Sequence, residues 1–331
     1  MSISSGLAAS RPAPTGSGNL YLRTDLPALY WDSTVSSKWE QYASERLPEP
    51  PAVGSYTTAG NIGLTQFADA IRVLATSNAA SNGACALVAS GALGSAAAWT
   101  VTLVASYAAS FYVASPEIGV CVTNGTTVGT STGTTLLMYT SITATNGLNG
   151  FEVDLFTVGG ARSSTPYSQA SVNEFLFGTG RLHLRLLADG TNMHCQGSSD
   201  GFNWIDIYTS ATPSGMTNYG FFIGLVAPSG SAYGQGVVYS NQLGTPTQYS
   251  VTGVTNGSPG SLTIGAHTIV PGDLVSVHGV GGSTGVNSGT GGGSLAGGAI
   301  VSAVTGTTIT LAGTTFAGAY TSGGTVTLLS R

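Results

Sequence analysis

The sequence predicts an all-β protein built from several small modules, and three observations carry that expectation. First, 49 of the 331 residues are Gly, 42% are apolar and only 7% are charged. That composition suits turns and close sheet packing and is unlike that of a disordered acidic or basic chain. Second, short alternating runs are separated by Asn-Gly or Asp-Gly pairs, beginning at Asn82, Asn124, Asn146, Asn149, Asn256, Asp189 and Asp200, and such pairs are hairpin signals. Third, the stretch with helical spacing, Thr65 to Leu74 with Phe67, Ile71 and Leu74, also fits period two through Phe67, Ile71 and Val73. It is read as strand because its surroundings are β.

Along the chain, four regions follow from composition. Residues 1–18, rich in Ser, Ala, Pro and Gly, read as a flexible or docked arm without core-forming side chains. Residues 19–54 hold a three-strand meander, Leu20-Tyr-Leu-Arg, Leu29-Tyr-Trp-Asp and Lys38-Trp-Glu-Gln-Tyr, followed by the Pro-rich spacer Leu47-Pro-Glu-Pro-Pro. Residues 55–244 are expected to form a β-sandwich whose clearest strands start at Trp99, Glu117, Phe151, Arg181 and Tyr219. Residues 245–331 contain 20 Gly and only two charged residues, Asp273 and Arg331. They read as a small β-module with strands near Tyr249, Asp273, Ala299, Thr307 and Thr325. The Gly279–Gly298 stretch between them is expected to be a long mobile loop unless a neighbouring chain holds it.

Charge excludes several classes of function. The balance is 9 basic against 14 acidic residues, and Lys38 is the only lysine, so no basic surface for nucleic acid is expected. Lys38 lies in Ser-Ser-Lys-Trp with no glycine loop before it, which excludes a phosphate-binding loop. Apolar runs are interrupted every few residues by Ser, Thr, Asn or Gly, so no membrane-inserting helix is expected. The first residues lack a basic segment followed by an apolar core and do not read as a signal peptide. Three widely spaced cysteines, Cys85, Cys121 and Cys195, cannot close a disulfide framework, and reduced, packed thiols in a cytosolic setting are expected.

The hairpin around Asp189-Gly190 is the most informative segment for a site. A turn at Asp189-Gly190 would set Ala188 opposite Thr191 and Arg185 opposite His194. One face then carries Leu182, Leu184, Leu186, Met193 and Cys195, and the other His183, Arg185, Asn192, His194 and Gln196. The polar set reads as a solvated face or as a glycan-binding face, to which Trp204 would add a stacking surface, sharing its side with Asp206 and Tyr208. A metal site from His183 and His194 lacks a visible third ligand, so no metal and no cofactor are expected. In Ser198-Ser-Asp200-Gly201-Phe-Asn-Trp204, Asp200 is expected to set the turn and Gly201 to take a positive φ. Gly-x-Ser-x-Gly occurs around Ser131 and Ser283, but neither lies on a strand-turn-helix elbow. Glu152 and Asp154 share one strand face and raise the question of glycoside hydrolysis.

Three resemblances extend this reading. Phe151-Glu-Val-Asp-Leu-Phe-Thr resembles the Glu-x-Asp-x-x-Glu strand of laminarinase-type jelly-roll glycosidases. It departs from them at Thr157, where the acid/base Glu belongs, so no enzyme activity is expected. Arg181-Leu-His-Leu-Arg-Leu, Asp189-Gly190 and Ser198-Ser-Asp-Gly-Phe-Asn-Trp204 resemble the concanavalin-like, laminin G-like sandwiches. Asn19-Leu-Tyr-Leu-Arg-Thr-Asp25 with Leu29-Tyr-Trp31 is similar to β-repeats near the N-termini of tailed-phage fibre and appendage proteins. Pro271-Gly-Asp-Leu-Val-Ser-Val-His-Gly-Val280 and Val304-Thr-Gly-Thr-Thr-Ile-Thr-Leu-Ala-Gly313 resemble a small β-barrel module first described in ubiquitin-activating enzymes and also present in phage structural proteins. Together the resemblances imply a virion fibre, spike or capsid-surface appendage assembled in the host cytoplasm. The competing readings are a free carbohydrate-binding adhesin and a divergent glycan hydrolase. The meander is too small to bury Leu20, Leu22, Leu29, Tyr30, Trp31 and Trp39 by itself, which leads to an expected homotrimer. Its N-terminal region would bind other virion proteins, and host-surface glycan is a further expected partner.

Overall fold

The computed structural model describes residues 3–6, 20–23, 29–32, 39–41, 50–59, 62–67, 70–76, 83–111, 115–124, 135–143, 148–156, 162–169, 181–198, 201, 203–226, 233–288, 291–292 and 298–330. Two compact units result, Met1–Glu49 and Pro50–Arg331. The first is a four-stranded sheet of β1 (Ile3–Gly6), β2 (Leu20–Arg23), β3 (Leu29–Asp32) and β4 (Trp39–Gln41), in that order. Strands β2, β3 and β4 form the expected antiparallel meander. The stretch read as an arm also supplies a strand, because β1 runs parallel to β2 with Ile3 opposite Leu20. The side chains of Leu20, Leu22, Tyr30, Trp31 and Trp39 lie outside the described residues.

The second unit opens with β5 (Thr57–Ala59), β6 (Ile62–Gln66), β7 (Ile71–Thr76), β8 (Gly83–Leu93), β9 (Ala98–Phe111), β10 (Ser115–Thr123) and β11 (Thr135–Thr143). There follow β12 (Leu148–Phe156), β13 (Arg162–Gln169), β14 (Leu182–Asp189), β15 (Asn192–Ser198), β16 (Ile205–Ala211), β17 (Met216–Val226) and β18 (Tyr233–Gly244). They build a concanavalin-like jelly-roll sandwich. One sheet has the order β13-β12-β11-β10-β17-β8-β5, and the other is β16-β15-β14-β9-β18-β7-β6 with one short strand added beyond β16. Period-two alternation fills the space between them. Trp99, Val101, Leu103 and Ala105 of β9, Leu184, Leu186 and Ala188 of β14, and Met193 and Cys195 of β15 pack against Ile118, Val120 and Val122 of β10 and Phe221 of β17.

The stretch expected as one strand near 65–74 is instead a hairpin. The Phe67 N–H donates to the Ala70 carbonyl at 2.8 Å, and Gln66 pairs with Ile71. Ile71 and Val73 are in the core while Phe67 and Leu74 are exposed, so the period-two reading holds only after the turn. Cys85, Cys121 and Cys195 are all buried and unbridged. Burial, with a smaller contribution from a neighbouring acidic group, pushes the thiols of Cys121 and Cys195 well above their ordinary range. A thiol reagent such as Ellman's is therefore expected to find no reactive cysteine in the native protein and three after denaturation; rapid native labelling would contradict this packing.

The remaining strands are β19 (Gln248–Ser250), β20 (Gly253–Thr255), β21 (Gly260–Thr263), β22 (Leu274–His278), β23 (Gly291–Gly292), β24 (Ala299–Thr305), β25 (Thr308–Leu311) and β26 (Thr325–Ser330). Apart from β23 they form a sheet ordered β19-β26-β22-β24-β25-β21-β20. Its two edge strands are consecutive in sequence. Between them, Val251 N–H donates to Gly324 O at 2.9 Å and Thr252 N–H to Thr263 O at 2.8 Å. The sheet is thereby curled into a small barrel around Leu262, Val275, Val277, Ile309, Leu311, Phe316 and Val326. Entry to β22 is a turn at Pro271-Gly272, with Gly272 at φ +100° and the Val270 N–H donating to Asp273 Oδ2 at 2.9 Å, which explains a buried carboxylate in so uncharged a region.

Over its described residues 279–288, the loop expected to be mobile is held by its own chain. Gly281 pairs with Ser322 and Thr284 with Ala317, Ser288 N–H donates to Val277 O at 2.7 Å, and Asn287 exchanges two 3.0 Å hydrogen bonds with the Val280 backbone. Farther on, β23 pairs with Tyr208 and Thr209 of β16, so a piece of the C-terminal module extends the sandwich sheet.

Candidate functional site at the seam between sandwich and barrel

The Asp189 hairpin has its two-residue turn at Gly190-Thr191, one position later than expected. Arg185 thus opposes Gln196, Leu186 opposes Cys195 and Leu187 opposes His194. Asp189 brings this about, because its Oδ1 accepts the N–H groups of Thr191 and Asn192 at 2.9 and 2.8 Å. This is an Asx-type turn. Each residue's partner has moved by two positions, so the assignment of side chains to faces survives. One of the expected face-mates is displaced. A bulge places Cys195 opposite Tyr208 and Gln196 opposite Asp206, so Tyr208 packs against the sandwich core while Asp206 points outward.

The polar face is not in water. Every residue of β15 is buried, and so is every residue of β22, because one side of each strand enters its own module's core and the other lies at the seam. In β22, Val275 and Val277 enter the barrel core, and the alternate residues meet the sandwich. Leu274 packs with Leu187 and Leu329, Ser276 Oγ donates to Asp189 Oδ2 at 2.9 Å, and His278 Nε2 stands against the same oxygen. Gln248 Nε2 donates to the Asp189 carbonyl at 2.9 Å and to Thr327 Oγ1 at 2.8 Å.

The six residues expected to hold glycan are therefore within or beside this seam. Arg185 Nε donates to Gln196 Oε1 at 2.8 Å, its guanidinium also donates to the Leu329 carbonyl, and its Cζ lies 4.1 Å from the centre of the Trp204 ring. Gln196 Nε2 reaches the Leu329 carbonyl at 3.3 Å, and Trp204 N–H donates to Ser330 Oγ at 2.7 Å. Asn192 and His194 are buried at the turn and mid-strand. His183 is buried against the next turn, where a Cβ on Gly201 would stand 2.8 Å from its Nδ1. A glycan reaching this face would first have to displace the barrel.

His194 is at the centre. Its Nε2 lies 2.9 Å from Asp189 Oδ2 and its Nδ1 2.7 Å from Asp206 Oδ2. Burial pulls the imidazole down, but the Asp206 and Asp189 carboxylates outweigh it and raise the group to about 9. Burial likewise opposes ionisation of Asp189, and the adjoining imidazoles of His194 and His278 overcome it, holding the carboxyl well below its ordinary range. Burial lowers Arg185, with Asp206 offsetting part of the shift.

The sequence offers His183 as a partner for His194 and no third ligand. The structure instead joins His194 to Asp189, treated only as a turn residue, and to His278, which lies 84 positions downstream in another module. The available signal was parity: in Leu274-Val-Ser-Val-His278 the residues at even positions include two polar groups on a strand whose odd positions are core valines.

Other singled-out residues carry less. Glu152 and Asp154 flank the buried Val153 on β12, opposite Tyr139 and Leu137, and their side chains, like Thr157, lie outside the described residues. Ser131 and Asp200 also lie outside them. Gly201 has the expected positive φ of +79°, and its N–H donates to Ser198 Oγ at 2.8 Å. Ser283 Oγ donates to the Ala317 carbonyl at 3.2 Å inside the barrel module, an arrangement with no nucleophile elbow.

Fold and seam define the second unit as a two-module β-structure, a jelly-roll sandwich with a small barrel seated on the outer face of one sheet. No protein-family model matches the chain, and no curated protein matches it. Among solved structures, it is similar to a functionally unknown protein from Saccharomyces cerevisiae, at 14% identity over 59% of this chain and 98% of that one, with a TM-score of 0.43. An alginate lyase from Pseudomonas aeruginosa matches at 10% identity over 59% of this chain and 100% of that one, with a TM-score of 0.39. The exoplasmic/lumenal domain of VIP36, in a Ca2+/Man3GlcNAc-bound form, matches at 8% identity over 61% of this chain and 88% of that one, also with a TM-score of 0.39. Likeness at this level bears on neither ligand nor activity.

Proposed function

We propose that this chain is a structural subunit of a tailed-phage virion, a multimeric fibre, spike or capsid-surface appendage anchored through its N-terminal region. The observation that carries the reading is the seam. The side chains of Arg185, Asp189 and Gln196 and the backbone N–H of Trp204, on the face with which the sandwich would recognise a ligand, are bonded to the barrel instead, and His194 is enclosed between Asp189 and Asp206. Modules joined in this way act as one rigid block, as a displayed building element requires. The N-terminal resemblance to appendage β-repeats supports the same reading, and Thr157 in place of a proton donor supports a role without hydrolysis. A glycan-binding function would need another surface of the sandwich.

The test is direct. Purified full-length protein is expected to sediment as a trimer, and antibodies against it are expected to decorate the outside of virions from the phage that encodes it. A folded monomer that is absent from purified virions would overturn the proposal. Release of reducing sugar from host polysaccharide, lost on Glu152→Gln, would favour the glycosidase reading instead.

A further inference from the structure

At the seam, two imidazoles and a carboxylate from three strands point at one another. Asp189 Oδ2 ends β14, His194 Nε2 comes from β15 and His278 Nε2 ends β22; these ligand atoms all lie within 4.8 Å of one another, and all three residues are buried. We propose that Asp189, His194 and His278 form a divalent transition-metal site, best suited to Zn(II), that pins the barrel to the sandwich. The inference is independent of where the protein acts.

The donor set fits the ion. Two imidazole nitrogens and one carboxylate oxygen are borderline and hard ligands of the kind zinc takes, with the fourth tetrahedral position left to a water or a nearby hydroxyl. Ser276 Oγ, 2.9 Å from Asp189 Oδ2, is such a hydroxyl.

Each ligand is also aimed. Asp206 Oδ2 at His194 Nδ1 is the carboxylate that commonly supports a metal-bound histidine: it holds the proton on Nδ1 and turns the Nε2 lone pair toward the metal. Two backbone N–H groups hold Asp189 Oδ1, which leaves Oδ2 directed into the cluster. Nε2 of His278 is buried against that oxygen without a hydrogen bond of acceptable geometry, and a metal would satisfy it. The charge of an M2+ ion would offset the Asp189 and Asp206 carboxylates at the cluster, in a seam that also holds the Arg185 guanidinium.

The test uses full-length, tag-free protein stripped with a chelator and titrated with Zn(II) or Co(II). One equivalent per chain is expected to bind, Co(II) is expected to show the visible absorption of a tetrahedral site, and Zn(II) to raise the thermal midpoint. His278→Gln should abolish stoichiometric binding, while Asp206→Asn should weaken it about 10–100-fold. His267→Gln, which alters a barrel histidine outside the cluster, should leave it intact. Since His278→Gln risks misfolding, His278→Cys provides the second arm: it restores a ligand and is expected to bind Co(II) with an added thiolate charge-transfer band. A folded wild-type chain that takes up no metal and shows no thermal response to Zn(II) overturns the proposal, as does full stoichiometry in folded His278→Gln.

Discussion

Replacing Asp189 by Ala is expected to lower the stability of the chain by about 3–5 kcal/mol, the cost of removing one partner from a buried charged network. Two functions are lost at once. Oδ1 no longer accepts the N–H groups of Thr191 and Asn192 that set the hairpin turn. Oδ2 no longer meets His194, Ser276 and His278, so polar groups from both modules are left buried without it. Asp189→Asn separates these contributions. It keeps an oxygen for the turn but sets an NH2 group against donors across the seam, so it should fall between wild type and Ala. Urea unfolding followed by fluorescence measures both variants, and Trp204, which leans on Arg185 at the seam, reports release of the barrel. A stability for Asp189→Ala within about 1 kcal/mol of wild type would show that the seam does not depend on this carboxylate, since such a loss is typical of an ordinary substitution.

Phe221→Ala is expected to cost a similar amount, about 3–5 kcal/mol, for a different reason. Phe221 is among the largest fully buried side chains. It sits on a strand bonded on both sides, opposite Val120 of β10 and Ala86 of β8, with the Tyr56 ring packed edge-on at a centroid distance of 5.4 Å. Strands paired on both edges cannot move together to fill the space, so the void remains. Phe67→Ala is the matched control: that ring is 51% exposed, and its truncation should change stability by no more than about 0.5 kcal/mol. Equal effects in thermal or chemical unfolding would contradict the assignment of the core.

The sequence by itself determined the all-β class, most strand positions and, through parity, the sorting of the Asp189 hairpin into an apolar and a polar face. Those properties are local: a period of two and a turn signal are written in adjacent residues, and a two-position slip in register leaves the faces unchanged. Only the tertiary structure decided what the polar face meets. Alternation in β15 reads identically whether its outer side is covered by water, sugar or another module, and the covering strand β22 begins 76 residues after β15 ends. Asp189 shows the same limit at one residue. Its turn role is legible from the Gly that follows, while its meeting with His194 and His278 depends on the barrel closing and docking, which no local periodicity encodes. The bulge between Cys195 and Gln196 was hidden for a related reason, since an extra residue in one strand is visible only against its partner.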